Sequence, residues 1–271
     1  MPNLNSSSLK VSRGIAAAVA CTLVAAAFSS SATAGPAEQA QRIYSRIAGV
    51  PPSASELQQM VQDIQGGQPL AAADIALQSP SFYNTVLKNW AMPWTNRDQT
   101  VFAPLNDYVA TVIGMVRDDV PFNTALSADI LYVSNAPGLP APSPADNNHY
   151  AQAEASGVDL KATLVQTTQS GTYGIPANAT AGLMTTRGSA SSFFINGTNR
   201  AMFRFTLMSQ LCRDMDQVED ITRPPDRIRQ DVSRSPGGDS RVFLNTCIGC
   251  HSGMDPMAQA FAYYNFDVPS N

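Results

Sequence analysis

A series of short amphipathic segments between residues 36 and 135 limits the fold of this chain more than any other feature. In the clearest of them, VPPSASELQQMVQDIQGG, Ser53 and Glu56 form an N-terminal capping box and a glycine pair ends the segment. Its apolar residues recur at helical spacing on one face: Leu57, Met60, Val61 and Ile64. The pattern predicts a packed amphipathic helix, and therefore a mainly α fold with a helical module at residues 35–135.

Helical patterns recur through the rest of this module. They occupy the stretches AEQAQRIYSRIAG, PLAAADIALQ, PSFYNTVLKNWAM, LNDYVATVIGMVRDD and NTALSADILYV. The second and third begin with proline, which is favoured in the first turn of a helix. Met60, Trp90 and Met115 lie on these apolar stripes. Because such stripes usually face the interior of a protein, we expect all three residues in the core.

The composition of the chain changes at residue 135. The stretch NAPGLPAPSPADNNHY contains four prolines and no periodicity, which predicts a loop or linker over residues 136–181. Apolar content returns at Gly182, and residues 199–212 carry the pattern of an amphipathic helix. We therefore expect a second, smaller helical region over residues 182–271.

The first 34 residues have the pattern of an export signal. Lys10 and Arg13 precede an apolar run at residues 14–28, and Ala-Thr-Ala at 32–34 offers a small-residue cleavage site. The run is about 15 residues long, shorter than the roughly 20 that a membrane-spanning helix needs. We expect cleavage and export to the periplasm or beyond, with no integral membrane segment left. A membrane anchor and a lipoprotein acylated at Cys21 are the alternatives.

Cleavage of the signal leaves Cys212, Cys247 and Cys250, an odd number that argues against a disulfide scaffold. Two of them form Cys-x-x-Cys-His with His251. Thiols three residues apart lie on one side of a helical turn, where they can reach the two vinyl groups on one edge of a haem. The imidazole that follows can bind the iron. The motif predicts haem c, with thioethers at Cys247 and Cys250 and His251 as an axial iron ligand.

Three other interpretations of these residues are open. Zinc could be bound by Cys212, Cys247, Cys250 and His251, although structural zinc sites usually contain a second close pair of ligands. The two cysteines of the motif could form a redox dithiol, which usually lies at the start of a helix in an α/β fold. The spacing could also be chance. Under the haem interpretation Cys212 is the remaining thiol, and we expect it to be buried as a small apolar side chain.

The second axial ligand of the iron is less defined. The candidates are Met184, Met202 and Met208, which precede the motif, and His149 in the proline-rich stretch, which we expect more readily at the surface. Met254 and Met257 follow His251 too closely to reach the opposite face of a haem, and we expect both to pack at its edge. A five-coordinate iron is the alternative.

The charge balance limits the partners of the chain. The sequence has 17 basic and 21 acidic residues, and the signal removes two basic and no acidic ones, which leaves 15 and 21, a net charge of −6. An acidic chain with so few basic residues lacks the basic patch that binding to a phosphate backbone requires, so nucleic acid is excluded as a partner. An acidic surface can attract a basic redox protein.

The residues that follow His251 extend the pattern. CIGCHSGMDPMAQAFAYYNFD resembles the haem-attachment signature of planctomycete-type cytochromes, a bacterial family whose C-terminal domains have no assigned function. The matching positions are Cys247, Cys250, His251, Asp255, Pro256, Phe266 and Asp267. A second segment, GLMTTRGSASSFFINGTNRAMFRFTLMSQLC, is similar to the family at Gly182, Leu183, Thr185, Leu211 and Cys212. The sequence departs from the family at Ala258, where glycine is usual, and keeps only Pro224-Pro225 of a longer proline run.

The resemblance implies a mainly helical, exported mono-haem cytochrome that exchanges electrons with redox protein partners. Family members extend further than this sequence, so the chain resembles a short or truncated member. A haem-dependent enzyme, or the electron-accepting subunit of a periplasmic dehydrogenase or oxidase, is the alternative. The residues themselves add one structural expectation, that Asp255 caps the helix that follows the motif and Pro256 occupies its first position.

Overall fold

The computed structural model describes residues 34–195, 200–219, 241, 243–261 and 263–267 of the 271-residue chain. The predicted export signal, apart from Ala34, lies outside these residues. The described residues form eleven α-helices and one small antiparallel sheet, which confirms the mainly α fold. None of the helices in this part of the chain has the length and apolarity needed to cross a membrane.

The first three helices pack around a small core of their own. They are α1 (Pro36–Ala48), α2 (Ala54–Gln65) and α3 (Pro69–Leu77). Their buried residues are Ala40, Tyr44, Ala48, Met60, Ala72 and Ala76. The capping box of α2 is confirmed, because Ser53 Oγ accepts from the Glu56 amide at 3.3 Å and the Glu56 carboxylate accepts from the Ser53 amide at 2.8 Å. Tyr44 donates its hydroxyl to Glu56 at 2.7 Å, which ties α1 to the start of α2.

The main core surrounds one buried helix, α5 (Asp107–Arg117). A π-helical turn (Phe82–Leu87), α4 (Lys88–Ala91) and a 3-10 turn (Met92–Thr95) precede it and pack against it. Residues 107–115 are buried without exception, so α5 is covered on every side. The core positions of Met60 and Met115 are confirmed. The prediction for Trp90 is wrong, since it is 52% exposed and packs edge-on against Trp94 at the surface of the short α4.

The segment at 136–181, predicted as a linker, is largely folded. It contains α6 (Asn148–Ala155), α7 (Leu160–Thr163), strand β2 (Leu164–Thr167) and α8 (Gln169–Tyr173). Strand β2 pairs with β1 (Leu131–Ser134), where the sequence pattern had predicted helix, in antiparallel register with Leu131 opposite Thr167. Both predictions are wrong for the same reason, because the pairing and burial come from contacts distant in sequence.

The C-terminal part of the described chain consists of three helices. They are α9 (Arg187–Phe193), α10 (Arg200–Leu211) and α11 (Ile248–Ala258). A π-helical turn (Phe243–Cys247) leads directly into α11, and a 3-10 turn (Gln259–Phe261) follows it. Helix α10 confirms the amphipathic helix predicted at residues 199–212 as far as its described residues go. It packs against both α9 and α11.

Gly182 joins this C-terminal part to the main core. Its φ is +54°, and an added Cβ would lie 2.0 Å from the carbonyl oxygen of Ala125. The Gly182 amide donates to Ala128 at 3.0 Å, and the Leu183 amide donates to Ala125 at 2.8 Å. Left-handed backbone and close contact together require glycine at this position, which gives a physical reason for the Gly-Leu pair that the sequence carries.

Asp107 forms a second link between the main core and the C-terminal helices. Its fully buried carboxylate accepts from the amides of Arg187 and Gly188, at 2.6 and 2.7 Å, in the first turn of α9. It also accepts from the Tyr173 hydroxyl at 3.2 Å and from the Tyr108 amide at 2.9 Å. Burial raises the pKa of this carboxyl, and the four hydrogen bonds act against that rise. One side chain thus holds the start of two helices together.

We expect Asp107→Ala to destabilise the protein strongly. The substitution leaves buried donors unsatisfied, and each such group typically costs about 1–3 kcal/mol. Urea denaturation followed by circular dichroism measures the change in unfolding free energy. The exposed Asp98→Ala is the matched control and should change it by less than about 0.5 kcal/mol. Equal stability of the two variants would contradict the role of Asp107.

Candidate functional site

Cys247, Cys250 and His251 lie on one continuous helical segment. The π-helical turn ends at Cys247, and Cys250 and His251 lie in the first turn of α11. Residues three apart on a helix are near neighbours, so this placement allows both thiols to face the same side. Neither cysteine is in a disulfide, and both are half-buried. This is the local arrangement that the sequence motif predicts.

An apolar wall stands beside Cys250. Three buried side chains of this wall belong to α10 and to the 3-10 turn that follows it: Phe203, Leu207 and Met215. Cys250 and Met254 of α11 pack against them together with Val218. Helix α11 comes close enough that a Cβ on Gly253 would lie 3.1 Å from the carbonyl oxygen of Val218. The motif is therefore supported by packed side chains on one flank.

His251 is held by a buried carboxylate one helical turn further along α11. Its Nδ1 lies 3.1 Å from Oδ1 of Asp255, whose side chain is 0% exposed. Arg200, in the first turn of α10, donates Nε to the same oxygen at 2.9 Å and Nη2 to the other at 3.4 Å. The charge of Asp255 is thus shared between an imidazole and a guanidinium.

The environment of Asp255 keeps its carboxyl ionised. Burial raises the pKa of this group, but the hydrogen bonds and charges of His251 and Arg200 outweigh burial and leave the pKa below its ordinary value. An ionised carboxylate only accepts hydrogen bonds, so Nδ1 of His251 carries a proton. In the neutral imidazole the lone pair is then on Nε2, which is the atom of this tautomer that can bind a metal.

The predicted role of Asp255 as a helix cap is wrong. Helix α11 begins at Ile248 and runs through residues 255 and 256, so neither residue starts a helix. The side chain of Asp255 turns back to His251 instead, as residues four apart on a helix can do. The His-x-x-x-Asp spacing was visible in the sequence. Arg200 carried no such signal, because its contact with Asp255 depends on how α10 packs against α11.

His149 has a structural role in this fold. It lies in α6, is 3% exposed, and accepts the Ser134 amide on Nε2 at 3.0 Å. Its Nδ1 then carries the proton and donates to the carbonyl of Pro140 at 2.7 Å. Both ring nitrogens are occupied, so His149 is neither a surface residue nor an available iron ligand in this structure. Both predictions for it are corrected.

The three methionines proposed as distal ligands pack in another cluster. Met184, Met202 and Met208 contact the aromatic side chains between α9 and α10, and the Met202 sulfur accepts from Thr206 at 3.7 Å. The cluster that contains Cys250 holds Met215, which the sequence reasoning did not single out, and Met254. Met257 is 56% exposed. The packing expected of Met254 and Met257 at a haem edge stays a prediction.

The structure does not favour the zinc and dithiol interpretations. Cys212 is exposed just past the end of α10, with φ +52°, so the prediction of a buried thiol is wrong. Within the described residues no three His, Cys, Asp or Glu side chains are placed to share a metal ion, and Cys212 does not join the motif. The described residues directly before Cys247, from Phe243 on, are helical rather than a strand, which does not favour a thioredoxin-like dithiol.

The donor set of this segment fits a covalently attached haem. It offers two free thiols three residues apart on a helical segment, an imidazole whose tautomer is fixed by a buried carboxylate, and an apolar flank. No family model matches this chain, and no curated protein or solved structure matches it either. The resemblance to planctomycete-type cytochromes therefore stays a prediction.

We expect His149→Ala to destabilise the fold without acting on the motif. The change leaves the Ser134 amide and the Pro140 carbonyl without their partner, and each buried unsatisfied group costs about 1–3 kcal/mol. Thermal and urea unfolding measure this loss, with the exposed Gln152→Ala on the same helix as control. A variant as stable as the control would show that the His149 hydrogen bonds are not formed.

Proposed function

We propose that this protein is an exported mono-haem c-type cytochrome that acts in electron transfer. Cys247 and Cys250 would hold the haem through thioethers, and His251 would be an axial ligand of its iron. The observation that carries the proposal is the hydrogen bond between Nδ1 of His251 and the buried Asp255, in a Cys-x-x-Cys-His segment that is helical throughout. Metal-binding histidines commonly donate their other nitrogen to a carboxylate in this way.

The residues of the chain have separate tasks in this proposal. Asp255 orients the His251 ring and keeps the proton on Nδ1, so that Nε2 presents its lone pair. Phe203 and Leu207 form an apolar surface beside Cys250 that keeps water from that flank. When bound, haem c supplies a one-electron Fe(III)/Fe(II) couple whose potential the surrounding protein adjusts.

The location and partners of the protein belong to the same proposal. Covalent attachment suits an exported protein, and the predicted signal at residues 1–34 supports export. A net charge of −6 after its removal, from 15 basic and 21 acidic residues, favours a basic redox protein as partner. Because such attraction is screened by salt, electron exchange with that partner should slow as ionic strength rises.

We expect the protein matured in a periplasm with a c-type haem attachment system to show the α band of a thioether-linked haem when reduced. The haem should stay with the protein after extraction with acidified acetone, which removes haem that is not covalently bound. Cys247→Ser with Cys250→Ser should abolish it, because no thiol of the motif remains. Absorption spectra of oxidised and reduced protein, and of the pyridine haemochrome, measure these changes.

Cys212→Ser is the matched control, because Cys212 is exposed and lies outside the motif. Its spectrum should equal that of the unchanged protein. Titration with a thiol reagent under denaturing conditions should find one thiol in the haem-bearing protein and none in the control variant. A colourless protein with three titratable thiols, obtained where a known c-type cytochrome matures normally, would refute the proposal.

A further inference from the structure

We propose that Asp255 and Arg200 form a positioning pair that sets the electron-donor strength of the His251 imidazole, and through it the reduction potential of the haem. The inference rests on the proposed function and deepens it. Neither residue would touch the haem iron in this arrangement, and both act through His251. Nothing in the Cys-x-x-Cys-His motif specifies such a pair.

The burial of Asp255 makes the pair more than a surface ion pair. Its carboxylate is 0% exposed, while the side chains of His251 and Arg200 are 19% and 17% exposed. A buried carboxylate is costly unless it is paired and hydrogen-bonded, so it depends on both partners. Oδ1 is shared between the two, at 3.1 Å from Nδ1 of His251 and 2.9 Å from Nε of Arg200.

The direction of the effect follows from charge. A carboxylate that accepts the Nδ1 proton shifts electron density onto the imidazole and makes Nε2 a stronger donor. A stronger donor, with a negative charge close behind it, stabilises Fe(III) more than Fe(II). Asp255 therefore lowers the reduction potential. Arg200 draws on the same oxygen and moderates this effect, so the two residues act in opposite directions.

A second Arg–Asp pair, whose arginine is on the same helix as Arg200, provides the control. Arg204 donates Nε and Nη2 to Asp214 at 2.9 and 2.8 Å, one helical turn beyond Arg200. Its side chains are 47% and 38% exposed. In the part of the chain that the structure describes, Asp214 bonds to Arg204 and to the turn that it caps, and to no histidine. Neutralising Asp214 removes the same charge from the same region without changing His251.

The first experiment is a spectroelectrochemical titration of the haem-bearing protein and its variants. Asp255→Asn should raise the Fe(II)/Fe(III) ratio at a fixed potential about tenfold, which equals about 59 mV for one electron. Hydrogen-bond partners of metal-binding histidines typically change metal affinity or activity by about this factor or more. Arg200→Gln should lower the ratio, and Arg200→Lys should stay near the unchanged protein. Asp214→Asn should change the ratio by less than about twofold, since exposed charges are screened.

A second experiment examines the imidazole without haem. The chain has two histidines, so 15N-labelled histidine in Cys247→Ser/Cys250→Ser protein gives two sets of ring signals. Both rings should carry their proton on Nδ1, His251 because of Asp255 and His149 because of Pro140. In the same protein with Asp255→Ala, only His251 should shift toward the Nε2 tautomer, while His149 reports that the fold is intact.

The outcomes separate this inference from the proposed function. If the protein without substitutions carries no covalent haem, the proposed function is refuted. The tautomer measurement then still tests whether Asp255 acts on His251. The inference is overturned if the haem binds but Asp255→Asn leaves the reduction potential unaffected, or if Asp214→Asn changes the potential equally. The proposed function is not affected by either result. His251 found with its proton on Nε2 in the presence of Asp255 also overturns it.

Discussion

The candidate site depends on the hydrogen bonds that the buried carboxylate of Asp255 accepts from His251 and Arg200. This carboxylate joins α11, which carries the motif, to the first turn of α10 through Arg200, and it fixes the ring of His251 at the same time. Without it the imidazole would lose the acceptor that holds the proton on Nδ1. With it, Nδ1 is bonded to the protein, and in the proposed function Nε2 is the atom that binds the iron.

Two buried aspartates thus organise the C-terminal half of the described chain. Asp107 in the main core holds the start of α9, and Asp255 in α11 holds the start of α10. Between them, the apolar clusters on the two sides of α10 fill the space. A buried carboxyl group is tolerated only where its oxygens are hydrogen-bonded, so each aspartate requires its partners at defined positions. The hydrogen bonds of these aspartates and the apolar clusters together hold α9, α10 and α11 in position around the site.

Local sequence signals predicted the local features of this fold. The capping box at Ser53, the core positions of Met60 and Met115 and the helix that became α10 all depend on residues close together in the chain. The strand pairing of β1 with β2, the buried ring of His149 and the exposure of Trp90 depend on distant contacts, which periodicity does not report. At the site, the motif was visible in the sequence. The contacts of Asp255 with His251 and Arg200 could not be predicted from the motif, because the position of Arg200 depends on how α10 packs on α11.

The most direct test of the account is peptide mapping by mass spectrometry of the periplasmically matured protein. Trypsin cleaves after Arg213 and Arg241, which places Cys247 and Cys250 on one peptide and Cys212 on another. The account predicts a haem on the peptide that begins at residue 242, bound through both cysteines, and an unmodified Cys212. Haem on neither cysteine of the motif, or a disulfide between Cys247 and Cys250, would contradict it.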